Sequence, residues 1–219
     1  MRRATIIGLC LAVPDLASAG AWPRPEGEVF LSLGGNVALI GDGERPIHYD
    51  PTIYAEYGAT PLTTLGIDGH TSDRGEIGTF FVFARHTLQD DADPVAVSLG
   101  LGLTGTLEVE TDPVLRFGLH VGDGFDGGWI ALDASVTRGI SSSFGQEKLD
   151  FTYGRQLSDT LAATLEAHAG TGLDGGTYAK VSSSVIWSAT DRVDLRGGYV
   201  QGLTGDNGGG ISLQAWTTF

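Results

Sequence analysis

The chain has 219 residues, of which 34 are glycine, and its 27 acidic against 13 basic side chains give a formal net charge of −14. This much glycine disfavours a helical bundle, since glycine inside a helix costs about 1 kcal/mol relative to alanine. No apolar run reaches the roughly 18 residues of a membrane-spanning helix, and the acidic surplus argues against nucleic-acid binding, because phosphate contacts need clustered Lys and Arg. A β-rich, acidic chain of single-domain size remains.

The first nineteen residues have the pattern of an export signal. Arg2 and Arg3 form a charged start, residues 4–13 form a short apolar run, and Ala17-Ser18-Ala19 supplies the small-x-small pattern of a cleavage site. We therefore predict a signal peptide over residues 1–19 and a single domain over 20–219. Cys10 is the chain's sole cysteine and lies in the signal, so the mature domain holds together without disulfides.

The rest of the chain repeats one unit, in which a run of about ten residues alternates apolar with polar or small side chains and a turn cluster follows. The clearest run covers residues 95–104, with Val or Leu at every odd position. Alternation with a period of two predicts β-strands that have one apolar and one polar face. Twelve runs are recognisable: 27–38, 51–58, 62–70, 76–88, 95–106, 113–122, 128–139, 147–157, 161–171, 177–188, 192–202 and 210–219. Ten strands is the alternative, because the second run is short and the fourth is apolar on both faces.

The character of the polar face decides between a soluble sandwich and a membrane barrel. That face carries Gly, Ser and Thr together with acidic and basic residues, which fits the lumen of a transmembrane barrel whose apolar face meets lipid. We predict an all-β, antiparallel up-and-down barrel, most simply with twelve strands. This facing predicts that Leu101→Arg is costly and that Gly102→Ser is mild.

The turns and aromatic residues orient the predicted barrel. With an even strand number both termini face the periplasm, where the short turns at 59–61, 158–160 and 189–191 also fall, whereas 39–50, 139–146 and 203–209 form longer outer loops. Residues 123–127 are long for an inner turn. Aromatic residues near the strand ends fit the girdles found at membrane interfaces: Trp22, Tyr57, Trp129, Tyr153, Trp187, Tyr199 and Phe219.

Eleven ionisable residues fall on the polar face and are predicted to line the lumen: Glu56, Asp68, Arg116, His120, Asp133, Asp150, Glu166, His168, Lys180, Asp194 and Arg196. Acids and bases are both present, on neighbouring strands. One interpretation is a plugged lumen filled by ion pairs, since unpaired confined charges are costly. The other is a narrow pore with a transverse field that passes polar solutes.

Other candidate sites are weaker. His70 and Ser72 form an H-x-S pair that resembles the one in outer-membrane phospholipases and lipid A deacylases, where the His activates the Ser. Asp73 and Arg74 replace the Asn-Gly of that pattern, and the alternation turns His70 and Ser72 away from the lipid. Glu166 and His168 share a face but lack a third metal ligand. We predict no catalytic residues, no metal and no cofactor.

The signal segment, the alternating runs and the terminal Phe219 make the chain resemble Gram-negative outer-membrane β-barrel proteins, in particular small transporter-type barrels. The resemblance implies an outer-membrane location. It also implies contact with outer-membrane lipid and lipopolysaccharide, and recognition of Phe219 by the barrel-assembly machinery. The predicted function is passive passage of small, unidentified solutes through a narrow lumen. The alternatives are a lipid hydrolase that uses His70 and Ser72, and a non-conducting barrel with a structural or adhesive role.

Overall fold

A computed structural model describes residues 20–40, 48–72, 77–90, 93–106, 111–172, 175–205 and 208–219. The predicted signal peptide therefore lies outside the described residues. Most of the described chain belongs to twelve strands: β1 Val29–Ile40, β2 His48–Thr60, β3 Thr63–Ser72, β4 Ile77–Gln89, β5 Val95–Thr106, β6 Asp112–Phe125, β7 Gly128–Gly139, β8 Gly145–Ser158, β9 Leu161–Thr171, β10 Thr177–Thr190, β11 Val193–Thr204 and β12 Gly209–Thr218. The count of twelve is confirmed. Within the described ranges, no helix is both long and apolar enough to span a membrane.

The strands form one closed antiparallel barrel. Each strand pairs with its neighbours along the chain, and β1 also pairs with β12. The seam, where β1 meets β12, ends in a reciprocal pair of hydrogen bonds. Val29 N donates to Phe219 O over 3.1 Å, and Phe219 N donates to Val29 O over 2.9 Å. Closure leaves no unpaired strand edge. The predicted all-β, up-and-down barrel is therefore confirmed.

The large apolar side chains of the strands point outward. Leu99, Phe117 and Leu165 are 51, 55 and 59% exposed, although a soluble sandwich would bury them between its sheets. Their neighbours on the opposite face, such as Thr104 and Thr164, are buried instead. The outer wall is thus an apolar band and the inner wall is polar, which is the arrangement of a barrel in lipid.

The two ends of the barrel differ in their connections. At the terminal end, where β1 begins and β12 finishes, two residues separate each of the pairs β2–β3, β6–β7, β8–β9 and β10–β11, and longer connections lie mostly at the opposite, loop end. The predicted long turn at residues 123–127 is wrong. Strand β6 continues to Phe125, and Asp126 and Gly127 make a tight turn in which Gly127 adopts a φ of 70°, a conformation that favours glycine.

The N-terminal segment (residues 20–27) precedes β1 and turns into the barrel at the terminal end. Gly27 N donates to Gly58 O over 2.8 Å, and Gly58 N donates to Glu28 O over 3.0 Å. A methyl group placed on Gly58 would overlap the carbonyl of Pro25. This close approach of two backbones explains why β2 has glycine at that position.

Candidate functional site: the barrel lumen

The inner wall brings the predicted lumen residues together in ion pairs. Each pair joins strands on one side of the barrel, and the described residues contain no ion pair that crosses its full width. The charges therefore lie along the wall.

One group of charges lies between β3 and β6. Arg116 Nη1 donates to Asp68 Oδ2 over 2.6 Å, and the guanidinium carbon of Arg116 lies 4.0 Å from the centroid of the Phe81 ring. Gly100 lies on β5, between the strands of Phe81 and Arg116. It leaves room above the Phe81 ring, because a methyl group on Gly100 would be 3.5 Å from that ring. Arg116 thus lies flat against the wall in a cation–π contact and does not extend across the lumen. The Arg116 and Asp68 side chains remain 21 and 27% exposed.

A second group joins β8 and β9. The carboxylate of Asp150 lies 2.8 Å from Lys148 Nζ through one oxygen and 2.8 Å from His168 Nδ1 through the other. The Lys148 side chain is 48% exposed, so solvent reaches this part of the lumen.

A third group lies on β9, β10 and β11. Arg196 Nη2 donates to Glu166 Oε1 over 2.6 Å, and Arg196 Nε donates to Ser184 Oγ over 2.8 Å. Ser182 Oγ donates to the second Glu166 oxygen over 2.7 Å. The Glu166 carboxylate is therefore held on both oxygens.

The remaining predicted lumen residues on β6, β7, β10 and β11 make local contacts or occupy the same inner face. His120 Nδ1 and Asp133 Oδ1 are 2.6 Å apart. Lys180 Nζ lies 5.5 Å from the centroid of the Tyr178 ring. Asp194 is half-buried near the terminal end, opposite Trp216 in the β11–β12 pairing.

Glu56 lies in a very different environment, inside a buried cluster at the terminal end. Its two oxygens pair with Arg24 Nε at 2.9 Å and with Arg85 Nη1 at 2.7 Å, and the Tyr54 hydroxyl donates to it. The Arg24, Glu56 and Arg85 side chains are 3, 0 and 2% exposed. We call Arg24, Tyr54, Glu56 and Arg85 the Glu56 cluster.

The Glu56 cluster and its neighbours also hold the backbone of the N-terminal segment. Arg85 Nη2 donates to Trp22 O over 3.1 Å, and Arg24 N donates to Thr64 Oγ1 over 3.1 Å. Thr87 Oγ1 donates to Ala21 O over 3.4 Å. The segment therefore lies across the inner face of β2, β3 and β4.

Aromatic side chains pack around the inward end of this segment. Trp22 packs against a buried apolar group formed by Trp129, Ala162 and Ile186, and a methyl group on Gly122 would overlap the Trp22 ring. The prediction that Trp22 and Trp129 belong to an interfacial girdle is wrong. Their rings fill the terminal end of the lumen, because Trp129 has the same facing as Asp133 along β7.

His70 lies on the inner face of β3, with Asp68, and not toward the outer apolar band. The side chain of Ser72 lies outside the described part of the structure. The described residues contain no group of three His, Cys, Asp or Glu side chains that could hold a metal ion.

Sequence reasoning missed Arg24, Arg85 and Lys148. The alternation was sufficient to place Lys148 beside Asp150 and Arg85 beside Phe83, but the apolar run around Phe83 hid the facing of β4. Arg24 precedes the first strand, where no periodicity exists to assign it.

No family model matches the chain, and no curated protein matches its sequence. Solved structures share its architecture. The KdgM porin aligns with a TM-score of 0.65 and 8% identity over 87% of this chain and 99% of that chain. An outer membrane channel from Pseudomonas putida F1 aligns with a TM-score of 0.62 and 10% identity over 94% of this chain and 100% of that one. The NanC porin aligns with a TM-score of 0.62 and 11% identity over 86 and 98%.

The chain has the fold of the outer-membrane porin-type barrels. At these identities the likeness covers the fold alone. The features of the lumen rest on this chain's own residues: the ion pairs along the inner wall and the N-terminal segment inside the terminal end.

Proposed function

We propose that the protein is a narrow outer-membrane channel for the passive passage of small polar solutes, with its terminal end toward the periplasm. The observation that carries this proposal is the solvent exposure of charged side chains inside the barrel. Lys148, Asp68 and Arg116 point inward and stay 48, 27 and 21% exposed, whereas Glu56 at the terminal end is fully buried. A lumen filled only by ion pairs would bury all of them to a similar degree.

The wall pairing supports polar solutes of low net charge. Arg116 lies beside Asp68, Lys148 beside Asp150 and Arg196 beside Glu166, so neither sign dominates these parts of the wall. The KdgM porin has been solved in complex with disordered oligogalacturonate, a polymer with repeated carboxylates. A pathway for such a polyanion favours unpaired cations, because field lines in a narrow lumen focus charge of one sign. Because Arg116, Lys148 and Arg196 are each paired with a carboxylate, we expect solutes other than a polyanion here.

Single-channel recording in planar lipid bilayers tests the proposal. We expect small discrete current steps with weak preference between K⁺ and Cl⁻, because Asp68, Asp150 and Glu166 on the inner wall each have a basic partner. Purified, folded protein that inserts without ever producing such steps, both as the wild type and as the Arg24→Ala variant, would favour the non-conducting structural barrel instead.

The lipid-hydrolase alternative has less support. A nucleophile that acts on acyl chains must meet them at the outer wall, and His70 lies on the inner face of β3 with Asp68. A purified protein that hydrolyses phospholipid would nevertheless restore this alternative.

A further inference from the structure

We propose that the N-terminal segment is a releasable stopper that closes the channel at its terminal end, and that the Glu56 cluster is the clasp that holds it. This inference rests on the proposed channel function and adds to it a closed state and the residues that maintain that state.

The first argument is that the segment is buried and that side chains of the inner wall hold its backbone. Ala21 is fully buried and Arg24 is 2% exposed. Two backbone carbonyls of the segment, those of Ala21 and Trp22, accept hydrogen bonds from Thr87 and Arg85, two inner-wall side chains of β4. An extended tail that lay only loosely in a lumen would not place its backbone on matched donors.

The second argument is shape. The inner wall has glycine where the segment approaches it most closely. A methyl group on Gly122 would overlap Trp22, and one on Gly58 would overlap the Pro25 carbonyl. At the inward end, Gly20 itself has no space for a side chain beside Asp133 and His120. The wall and the segment are therefore complementary along its length.

The third argument is that the attachment is reversible in physical terms. The anchor is an arginine–carboxylate pair, and Glu56 keeps a second arginine, Arg85, when Arg24 leaves. Release of the segment therefore does not leave a buried carboxylate unpaired. An unpaired buried carboxylate would make opening prohibitively costly. Arg24 Nη1 also pairs with Glu28 Oε1, four residues along its own chain, at 3.1 Å, and this local pair can persist when Arg24 leaves Glu56.

The test compares channel currents of the wild-type protein and of clasp variants in planar bilayers. We expect Arg24→Ala and Trp22→Ala to raise the time-averaged current per channel by about tenfold, since loss of one buried anchor shifts a two-state equilibrium by roughly that factor. Arg155→Ala and Trp187→Ala are the matched controls. Arg155 is exposed at the same end, where it contacts Asp126 O, and Trp187 is 51% exposed on the outer wall. Both controls should conduct like the wild type.

A disulfide lock covers the case in which a clasp variant fails to fold. Ala21→Cys combined with Thr87→Cys places two thiols at a contact that is buried on both sides. We expect the oxidised protein to stay closed and the same preparation to open after addition of a reductant. Mass spectrometry of the oxidised preparation confirms that the bond has formed.

The outcomes separate the two proposals. Currents that are equal in the wild type, in both clasp variants and in the oxidised and reduced lock would overturn the stopper and leave the channel standing. An absence of current in all folded variants, including the reduced lock, would overturn the channel itself.

Discussion

Arg24 Nε and Glu56 Oε2 form a 2.9 Å ion pair in which neither side chain has more than 3% of its surface exposed, although the two residues belong to different parts of the chain. Arg24 precedes the first strand and Glu56 lies near the end of β2. At a buried carboxylate that pairs with two arginines, a single substitution has a large effect.

We expect Glu56→Gln to destabilise the barrel by about 3–5 kcal/mol, because it leaves Arg85 buried without its counter-charge and leaves Arg24 with Glu28 alone. Denaturant unfolding in lipid vesicles measures the change. Glu147→Gln is the control, because Glu147 pairs with Arg138 on the exposed surface, where such pairs contribute about 1 kcal/mol or less. Equal losses in the two variants would show that the Glu56 cluster is not a buried electrostatic anchor.

The facing of β5 makes a second prediction. Leu101 is 52% exposed on the outer wall, and an arginine there should cost about 2–4 kcal/mol in a bilayer. Gly100→Ala should be mild, because the added methyl group would make only ordinary contacts at 3.5 Å. A small effect of Leu101→Arg on unfolding in vesicles would contradict the outward facing of this strand.

The alternation alone predicts that Gly102→Ser is mild, but the packing around Gly102 leads to the opposite expectation. A side chain at Gly102 would overlap the carbonyl of Phe80 and the ring of Phe81. We now expect Gly102→Ser to lower the free energy of unfolding clearly more than Gly100→Ala, although both glycines lie on the inner face. The same vesicle unfolding assay compares them, and a reversed order would contradict the packing of Phe81 against β5.

Arg116→Gln tests whether the wall charges control ion selectivity. The substitution removes the positive partner of Asp68, so the lumen gains an uncompensated negative charge and should shift toward cation preference. Reversal potentials across a KCl gradient measure the shift. Arg155→Gln removes a positive charge outside the lumen and should leave the reversal potential unchanged. A similar shift in both variants would assign selectivity to the overall charge of the protein.

Fluorophosphonate labelling examines the hydrolase alternative at Ser72. We expect no covalent label, since His70 faces the lumen. A label that disappears in both Ser72→Ala and His70→Ala would instead favour an activated serine at this position.

The sequence was sufficient for the barrel but not for its interior packing. A period of two is set by strand geometry and survives in a single sequence, so even the weak runs at β2 and β4 were placed within a few residues. The same rule assigned Glu56 to the inner face without indicating its burial. Burial depends on Arg24, a residue outside every strand, and on glycines such as Gly122 whose role is visible only beside Trp22. Contacts of this kind join distant parts of the chain and have no local pattern.

The seam between Val29 and Phe219 has a consequence for how the barrel is made. Contacts so far apart in the chain bear the greatest loop-closure entropy and tend to form late. The wall that receives residues 20–27 extends from β2 to β10, and these strands are consecutive hairpins that do not depend on that seam. We therefore expect the nascent sheet to capture its own leading residues while it is still open, so that assembly wraps the barrel around them and no later threading step is required.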